Sequence, residues 1–153
     1  MVNMENTFEN NTRAARDILI KNGYTCVLYS SDTVYHSNLR GVAPLVGFLD
    51  SGKDFGAFCA ADKTVGLGAA HLYILLGVRS LWANVISAAA RELLLKNGIR
   101  VYFENEVPFI INREGTGRCP IESALSGDLS SEEAVWVIKD TLSSLSGTGT
   151  ENG

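Results

Sequence analysis

Residues 58–77 form the longest stretch in the chain that can bury nearly its whole circumference, and they constrain the fold more than any other feature. Between positions 65 and 76 apolar side chains occupy every helical face, the pattern of a helix enclosed by other elements rather than laid on a surface. Asp62, Lys63 and Thr64 stand just before it, where the first turn of a helix leaves backbone N–H groups unpaired. A carboxylate or hydroxyl at that place reads as a cap meeting the positive helix end. Gly66 and Gly68 each weaken a helix by about 1 kcal/mol relative to alanine, so they imply that another backbone or a ligand comes close.

At 153 residues and 46% hydrophobic, the chain suits one globular domain, expected over residues 1–145 with a flexible tail over 146–153. The net charge of -4, from 13 basic and 17 acidic residues, gives no general attraction for nucleic acid or an anionic membrane surface. The central apolar run is too short and too interrupted by glycine to span a bilayer. Cys26, Cys59 and Cys119 are odd in number and widely spaced, and residues 1–11 are polar and acidic without an apolar signal core. A reduced, cytoplasmic protein is the expectation.

In chain order, the spacing of Ala15, Ile18 and Leu19 predicts a helix over residues 12–22 that Gly23 terminates. Two short β-rich runs, 24–29 and 33–37, separated by Ser30, Ser31 and Asp32, read as an antiparallel hairpin with Cys26 inside its first strand. Residues 42–49 suit a short helix with Pro44 in its first turn. Residues 55–61 fit either tight packing or a loop. After Gly77, a β-run over 78–84 precedes Ser87, which suits the cap of a helix reaching Leu95 and ended by Asn97 and Gly98. Residues 99–103 make the next strand, and a strand–helix–strand unit of this length is a right-handed crossover with parallel strands. Residues 107–111 offer one more β-run, with Pro108 confined to its edge or beginning. A glycine-containing loop over 112–118 leads to Cys119 and Pro120, which open a short helix. Ser130 and Glu133 form a capping box for the last helix, with an apolar stripe of Ala134, Val137, Ile138 and Leu142.

Taken together, these elements resemble the cytidine-deaminase-like fold, a three-layer α/β/α architecture on a mixed sheet. The segments 51–55, 60–66 and 83–87, and Ile110, Ile111, Asn112 and Arg113 followed by Cys119 and Pro120, look like an uncharacterised prokaryotic family of that fold. The likeness runs from about Ala15 to Lys139 and implies architecture without an assigned reaction. Zinc deamination needs a His or Cys ligand with a Glu two residues on, and a Pro-Cys-x-x-Cys at the next helix, because the metal must generate hydroxide and the Glu must shuttle protons. The corresponding places here hold Ala60, Ala61 and Asp62, and residues 84–87, so the resemblance implies a site without zinc and without a cofactor.

The candidate chemistry gathers at two helix starts. Asp62 and Lys63 read either as a helix start or as an acid–base pair; a lysine at a positive helix end costs up to about 1 kcal/mol unless an anion compensates it. Cys119, beside Arg118 and near Arg113, sits where a helix amino end and arginines lower a thiol pKa, the condition for a nucleophile. Arg113, Gly115, Gly117 and Arg118 also suit phosphate or carboxylate. A zinc set of Cys59, Cys119, His36 and His71 lacks paired ligand spacing. Three readings stay open: a module binding a small anionic metabolite or nucleotide through Lys63, Asn84, Arg113 and Arg118; a zinc-independent enzyme with Cys119 as nucleophile and Asp62 or Lys63 in acid–base roles; and a homo-oligomeric scaffold resting on the apolar surplus around Leu72 to Trp82. The sequence does not decide whether the protein is an enzyme. The shared-site expectation is that Asp62, Lys63, Arg113, Arg118 and Cys119 converge on one cleft at the carboxyl ends of the strands.

Overall fold

A computed structural model of the chain describes residues 4–31, 33–39, 41–111, 120–125 and 129–146. In order, these form α1 (Met4–Asn22), β1 (Cys26–Tyr29), β2 (Val34–Ser37), α2 (Ala43–Asp50), β3 (Cys59–Val65), α3 (Leu67–Leu76), β4 (Ser80–Ser87), α4 (Ala88–Lys96), β5 (Arg100–Val107), α5 (Pro120–Ala124) and α6 (Ser131–Ser146). The strands make one mixed sheet in the order β2-β1-β3-β4-β5. β1 runs antiparallel to both β2 and β3, whereas β3, β4 and β5 are parallel.

The parallel strands advance across the sheet in one direction, so right-handed crossovers put α3 and α4 on the same face. On that face lies the larger core, in which α3 contributes Ala69, Ala70, Leu72, Tyr73 and Leu76. α2, α4, α5 and α6 all contact α3, which explains why its sequence is apolar all round. The helix ends where Gly77 takes a left-handed conformation, φ 78°, and its N–H reaches the Tyr73 and Ile74 carbonyls. α1 covers the opposite face, packing Ala15 and Leu19 on Val27, Ala61 and Trp82. A buried hydroxyl pair, Thr12 Oγ1 with Ser80 Oγ, ties α1 to the start of β4.

Several expectations hold. The hairpin is present, with Tyr29 opposite Val34. Ser87 caps α4 by accepting the Ala90 N–H at 3.2 Å. Ser130 and Glu133 exchange side-chain-to-backbone hydrogen bonds of 3.1 and 3.0 Å ahead of α6, closing the capping box. Others are corrected. α1 begins at Met4 rather than near residue 12, since polar residues such as Glu and Asn do not by themselves exclude a helix. Residues 59–65, left open or assigned to the approach of the central helix, form β3, so Asp62, Lys63 and Thr64 lie within a strand and cap nothing. The helix starts at Gly66, which has no side chain to cap with. β5 continues to Val107, where the expected strand over 107–111 was to begin; Pro108 lacks an N–H and ends the ladder there. Asp32, Arg40, the loop over 112–118 with Arg113 and Arg118, and Cys119 lie outside the described residues; of the tail expected over 146–153, Ser146 instead ends α6 and the rest lies outside them too.

Candidate functional site

Side-chain alternation in the three parallel strands slips by one place near their carboxyl ends. Ala60 of β3 and Leu81 and Ala83 of β4 face the larger core, and strict alternation would next bring in Thr64 and Val85. Instead Val65 and Ile86 join that core, while Thr64 is exposed and Val85 half-buried. The ladder marks the same place: Asp62 pairs with Ala83 and Ala83 with Phe103, then pairing resumes at Thr64, Val85 and Asn105. The skipped positions are Lys63, Asn84 and Glu104. Asn84 puts its carbonyl toward the Asn105 side-chain amide at 3.5 Å, a long contact that partly replaces a ladder bond.

Turned out of the core in this way, Thr64 and Val85 line an open cleft of about 360 Å³, closed on its other side by residues 107–111. The lining is almost wholly apolar, with the Thr64 hydroxyl as its polar side-chain group. A second, smaller cavity of about 90 Å³ lies under α1 between Arg13, Arg16, Trp82 and Tyr102. Its arginines already face carboxylates, Arg13 with Glu9 at 3.7 Å and Arg16 with Asp17 at 2.9 Å, so it has little surplus charge for a ligand.

Behind the Thr64 wall sits a buried polar chain. Tyr73 Oη donates to Asp62 Oδ2 at 2.7 Å, and Asp62 Oδ1 accepts the Thr64 N–H at 3.1 Å. Cys26, opposite Asp62 across the β1–β3 ladder, places its Sγ 3.4 Å from Tyr73 Oη. Burial is the chief cause that pushes the Asp62 carboxyl from an ordinary 3.8 to about 7; the hydrogen bonds from Tyr73, Thr64 and Lys63 pull the other way. Burial and the neighbouring Asp62 also push the Cys26 thiol far up, and burial with both neighbours does the same to the Tyr73 phenol. These are neutral, unreactive forms for a thiol and a phenol.

Of the sequence-derived site residues, Asp62, Lys63 and Asn84 are among the described ones. Asp62 is buried, 8% exposed. Lys63 is exposed next to the cleft residue Thr64, and Asn84 lies beside the cleft residue Val85. Arg113, Arg118 and Cys119 lie outside the described residues, so their convergence with Asp62 does too. The electrostatic argument for Lys63 loses its basis, since the residue is in a strand. His71 is buried in α3 with Nδ1 3.0 Å from Ser131 Oγ, and burial lowers its pKa. His36 is stacked on Tyr24, their rings 4.1 Å apart, and Cys59 is buried in β3. Among the described residues no group of three His, Cys, Asp or Glu side chains is placed to hold a metal. The apolar residues on which the oligomeric reading rested, Leu72, Tyr73, Leu81 and Trp82, are buried within the chain itself.

Sequence reasoning missed the cleft and the partners of Asp62. One signal for the latter was available. A tyrosine hydroxyl inside an all-apolar helix must find a partner, and Asp62 is the nearest acid in the preceding segment.

Comparison with known proteins agrees with this architecture. Residues 14–142 match the TM1506 family, a Domain of unknown function (DUF1893), and the chain belongs to that family. The crystal structure of a DUF1893 family protein (TM1506) from Thermotoga maritima superimposes with a TM-score of 0.80 at 24% identity, covering 86% of this chain and 90% of that one. The apo crystal structure of dCMP deaminase from the cyanophage S-TIM5 is a distant neighbour, with a TM-score of 0.42, 10% identity and coverage of 65% and 96%. No curated protein matches the chain. The fold is a three-layer α/β/α with a mixed five-stranded sheet, and among the described residues no helix is long and apolar enough to cross a membrane.

Proposed function

We propose that the protein is a zinc-free binding module that takes a small molecule with a flat apolar body, of nucleobase size, in the cleft formed by Thr64, Val85 and residues 107–111. The carrying observation is the cleft's position: it opens at the carboxyl ends of parallel strands, where open α/β sheets commonly bind ligands. Its volume falls in the range of roughly 300–1,000 Å³ usual for small-molecule sites. The apolar lining accounts for the body of such a ligand. Its anionic end, a phosphate or carboxylate, is assigned to Lys63, exposed beside the cleft residue Thr64. The reading places the protein in the cytoplasm, where nucleotides and phosphorylated metabolites are at hand.

Thermal-shift and equilibrium binding with AMP, CMP and simple sugar phosphates test it. At least one ligand is expected to raise the melting temperature of the parent and to lose its effect on Val85→Trp, whose indole fills the cleft. A panel that stabilises neither protein, or both equally, overturns the proposal. The same preparations separate the alternatives. A Cys119 nucleophile requires alkylation by iodoacetamide faster than a free model thiol, and an oligomeric scaffold requires a mass above one chain in solution.

A further inference from the structure

We propose that Asp62 is a positioning residue for the cleft, its charge state setting how firmly the Thr64 wall is held and so how tightly the cleft grips a ligand. The proposal rests on the cleft being the binding site, and it deepens that reading by assigning the site a proton-linked control.

Three features of the geometry carry it. First, Asp62 reaches the cleft through one bond. Its Oδ1 accepts the N–H of Thr64, and Thr64 is the cleft residue contributed by β3. A carboxylate is a stronger acceptor for that N–H than a neutral acid. Secondly, both oxygens of Asp62 accept, one from Thr64 and one from Tyr73, an arrangement that fits the ionised form. Thirdly, the surrounding chain can accommodate the proton without moving heavy atoms. With Asp62 ionised, the Cys26 thiol donates to Tyr73 Oη and the Tyr73 hydroxyl donates to Oδ2. With Asp62 protonated on Oδ2, that proton is donated to Tyr73 Oη, and the Tyr73 hydroxyl turns to donate to Cys26 Sγ, 3.4 Å away. One proton enters, no covalent bond between heavy atoms changes, and every polar group keeps a partner.

The groups facing Asp62 are few. β1 presents Cys26, α3 presents Tyr73, β4 presents the apolar Ala83 in the paired position, and on β3 itself the Lys63 side chain is exposed to solvent. No cation among these neutralises the carboxylate inside. Desolvation therefore governs its titration and carries it toward neutrality, about 7, where small changes in pH alter the occupancy of both states.

The test uses the full chain and does not depend on a natural ligand. In a pH titration from 5 to 9 followed by ¹H–¹⁵N and methyl NMR, the Thr64 amide and the Val85 and Val107 methyls are expected to shift with the same midpoint as the Asp62 carboxyl carbon. In Asp62→Asn these shifts disappear. In Tyr73→Phe, which also serves should Asp62→Asn not fold, loss of the donated hydrogen bond moves the midpoint upward. With 8-anilinonaphthalene-1-sulfonate as an aromatic, anionic probe, affinity is expected to rise about fivefold from pH 6 to pH 8, the difference between a neutral and a charge-assisted hydrogen bond. A Thr64 amide that ignores the titration of Asp62, cleft methyls that stay still while Thr64 moves, or an unchanged midpoint in Tyr73→Phe overturns the inference. A probe that fails to bind at any pH while the amide and methyls titrate together defeats the binding reading and leaves the coupling of Asp62 to the cleft wall standing.

Discussion

Strands β3 and β4 lie side by side, run the same way and each feed a helix on the same face, yet they end differently. β4 closes on Ser87, 1% exposed, whose hydroxyl caps α4. β3 closes on Asp62, Lys63, Thr64 and Val65 before Gly66, and Gly66, at the N-cap of α3, has no side chain to cap with. At the β4 passage the polar side chain is consumed by the helix backbone. At the β3 passage a carboxyl is buried at a real desolvation cost, spent on Tyr73 and on the backbone of Thr64 at the cleft. A protein that needed only to turn from strand to helix would repeat the first solution. The departure from it is what the proposed binding role of the β3 end would account for, since perturbed carboxyls gather at functional sites.

The comparison breaks most visibly if α3 is not the enclosed helix that the β3 end leads into. Leu72, 0% exposed in the larger core, leaves a cavity when shortened, and Leu72→Ala is expected to cost about 2–5 kcal/mol in urea denaturation. A loss under about 1 kcal/mol, the level of an unremarkable substitution, would mean that α3 is peripheral.

Next in size is the proton linkage of Asp62. Its folded pKa of about 7 lies above the ordinary 3.8, so between these values the folded state keeps a proton that the unfolded chain has lost. Stability therefore falls as pH rises from 4 to 7, by up to about 1.4 kcal/mol per pH unit, and is level above. His71, whose pKa burial lowers, acts in the opposite sense: it removes stability as pH drops below about 6.5. Comparing parent with Asp62→Asn isolates the carboxyl, since His71 is common to both. Denaturation at pH 5 and pH 7.5 should show the parent losing stability relative to the variant at the higher pH, and parallel curves would contradict a buried Asp62.

Gly68 sharpens the contrast from the helix side. A Cβ there would stand 2.6 Å from Ile121 Cγ2 and 3.4 Å from Val42 Cγ1, so the Ile121 side chain on α5 must yield. Gly68→Ala is expected to destabilise by about 1–3 kcal/mol despite alanine's better helix propensity, and a stabilised variant would remove the close approach. The smallest effects test the two strand ends directly. Ser87→Ala should cost about 1 kcal/mol as a lost cap, while Thr64→Ala, at an exposed position that caps nothing, should stay within about 0.5 kcal/mol. Equal costs would erase the distinction.

How far the sequence alone carried follows the same line. Where a polar residue has one local task, as Ser87 and the Ser130–Glu133 box do, sequence spacing located it. The enclosure of α3 was legible because every face of residues 65–76 is apolar. The parallel part of the sheet was legible from the crossover unit and its antiparallel edge from the hairpin, while the mixed sheet as a whole came from the resemblance to the deaminase-like fold. The β3 end was not, because Asp62, Lys63 and Thr64 before an apolar run satisfy the local rules for a helix cap, and only the pairing of residues 59–65 with β1 and β4 overrides them. Local chemistry singled out Asp62, and wrongly as a cap: it lies within β3. The cleft was invisible for a related reason: it depends on a slip in alternation shared by three strands and on Pro108 ending the β5 ladder, neither of which is a property of any one segment.

The account turns on whether the β3 end serves a ligand, and a titration of the ¹⁵N- and methyl-labelled chain with AMP at pH 8 tests that most directly. The account predicts shift changes concentrated at Thr64, Val85 and residues 107–111, with the Asp62 carboxyl responding and with the Arg13, Arg16 and Trp82 region quiet. Changes confined to that α1 region, or none at millimolar AMP while another metabolite shifts the α1 face, would contradict it.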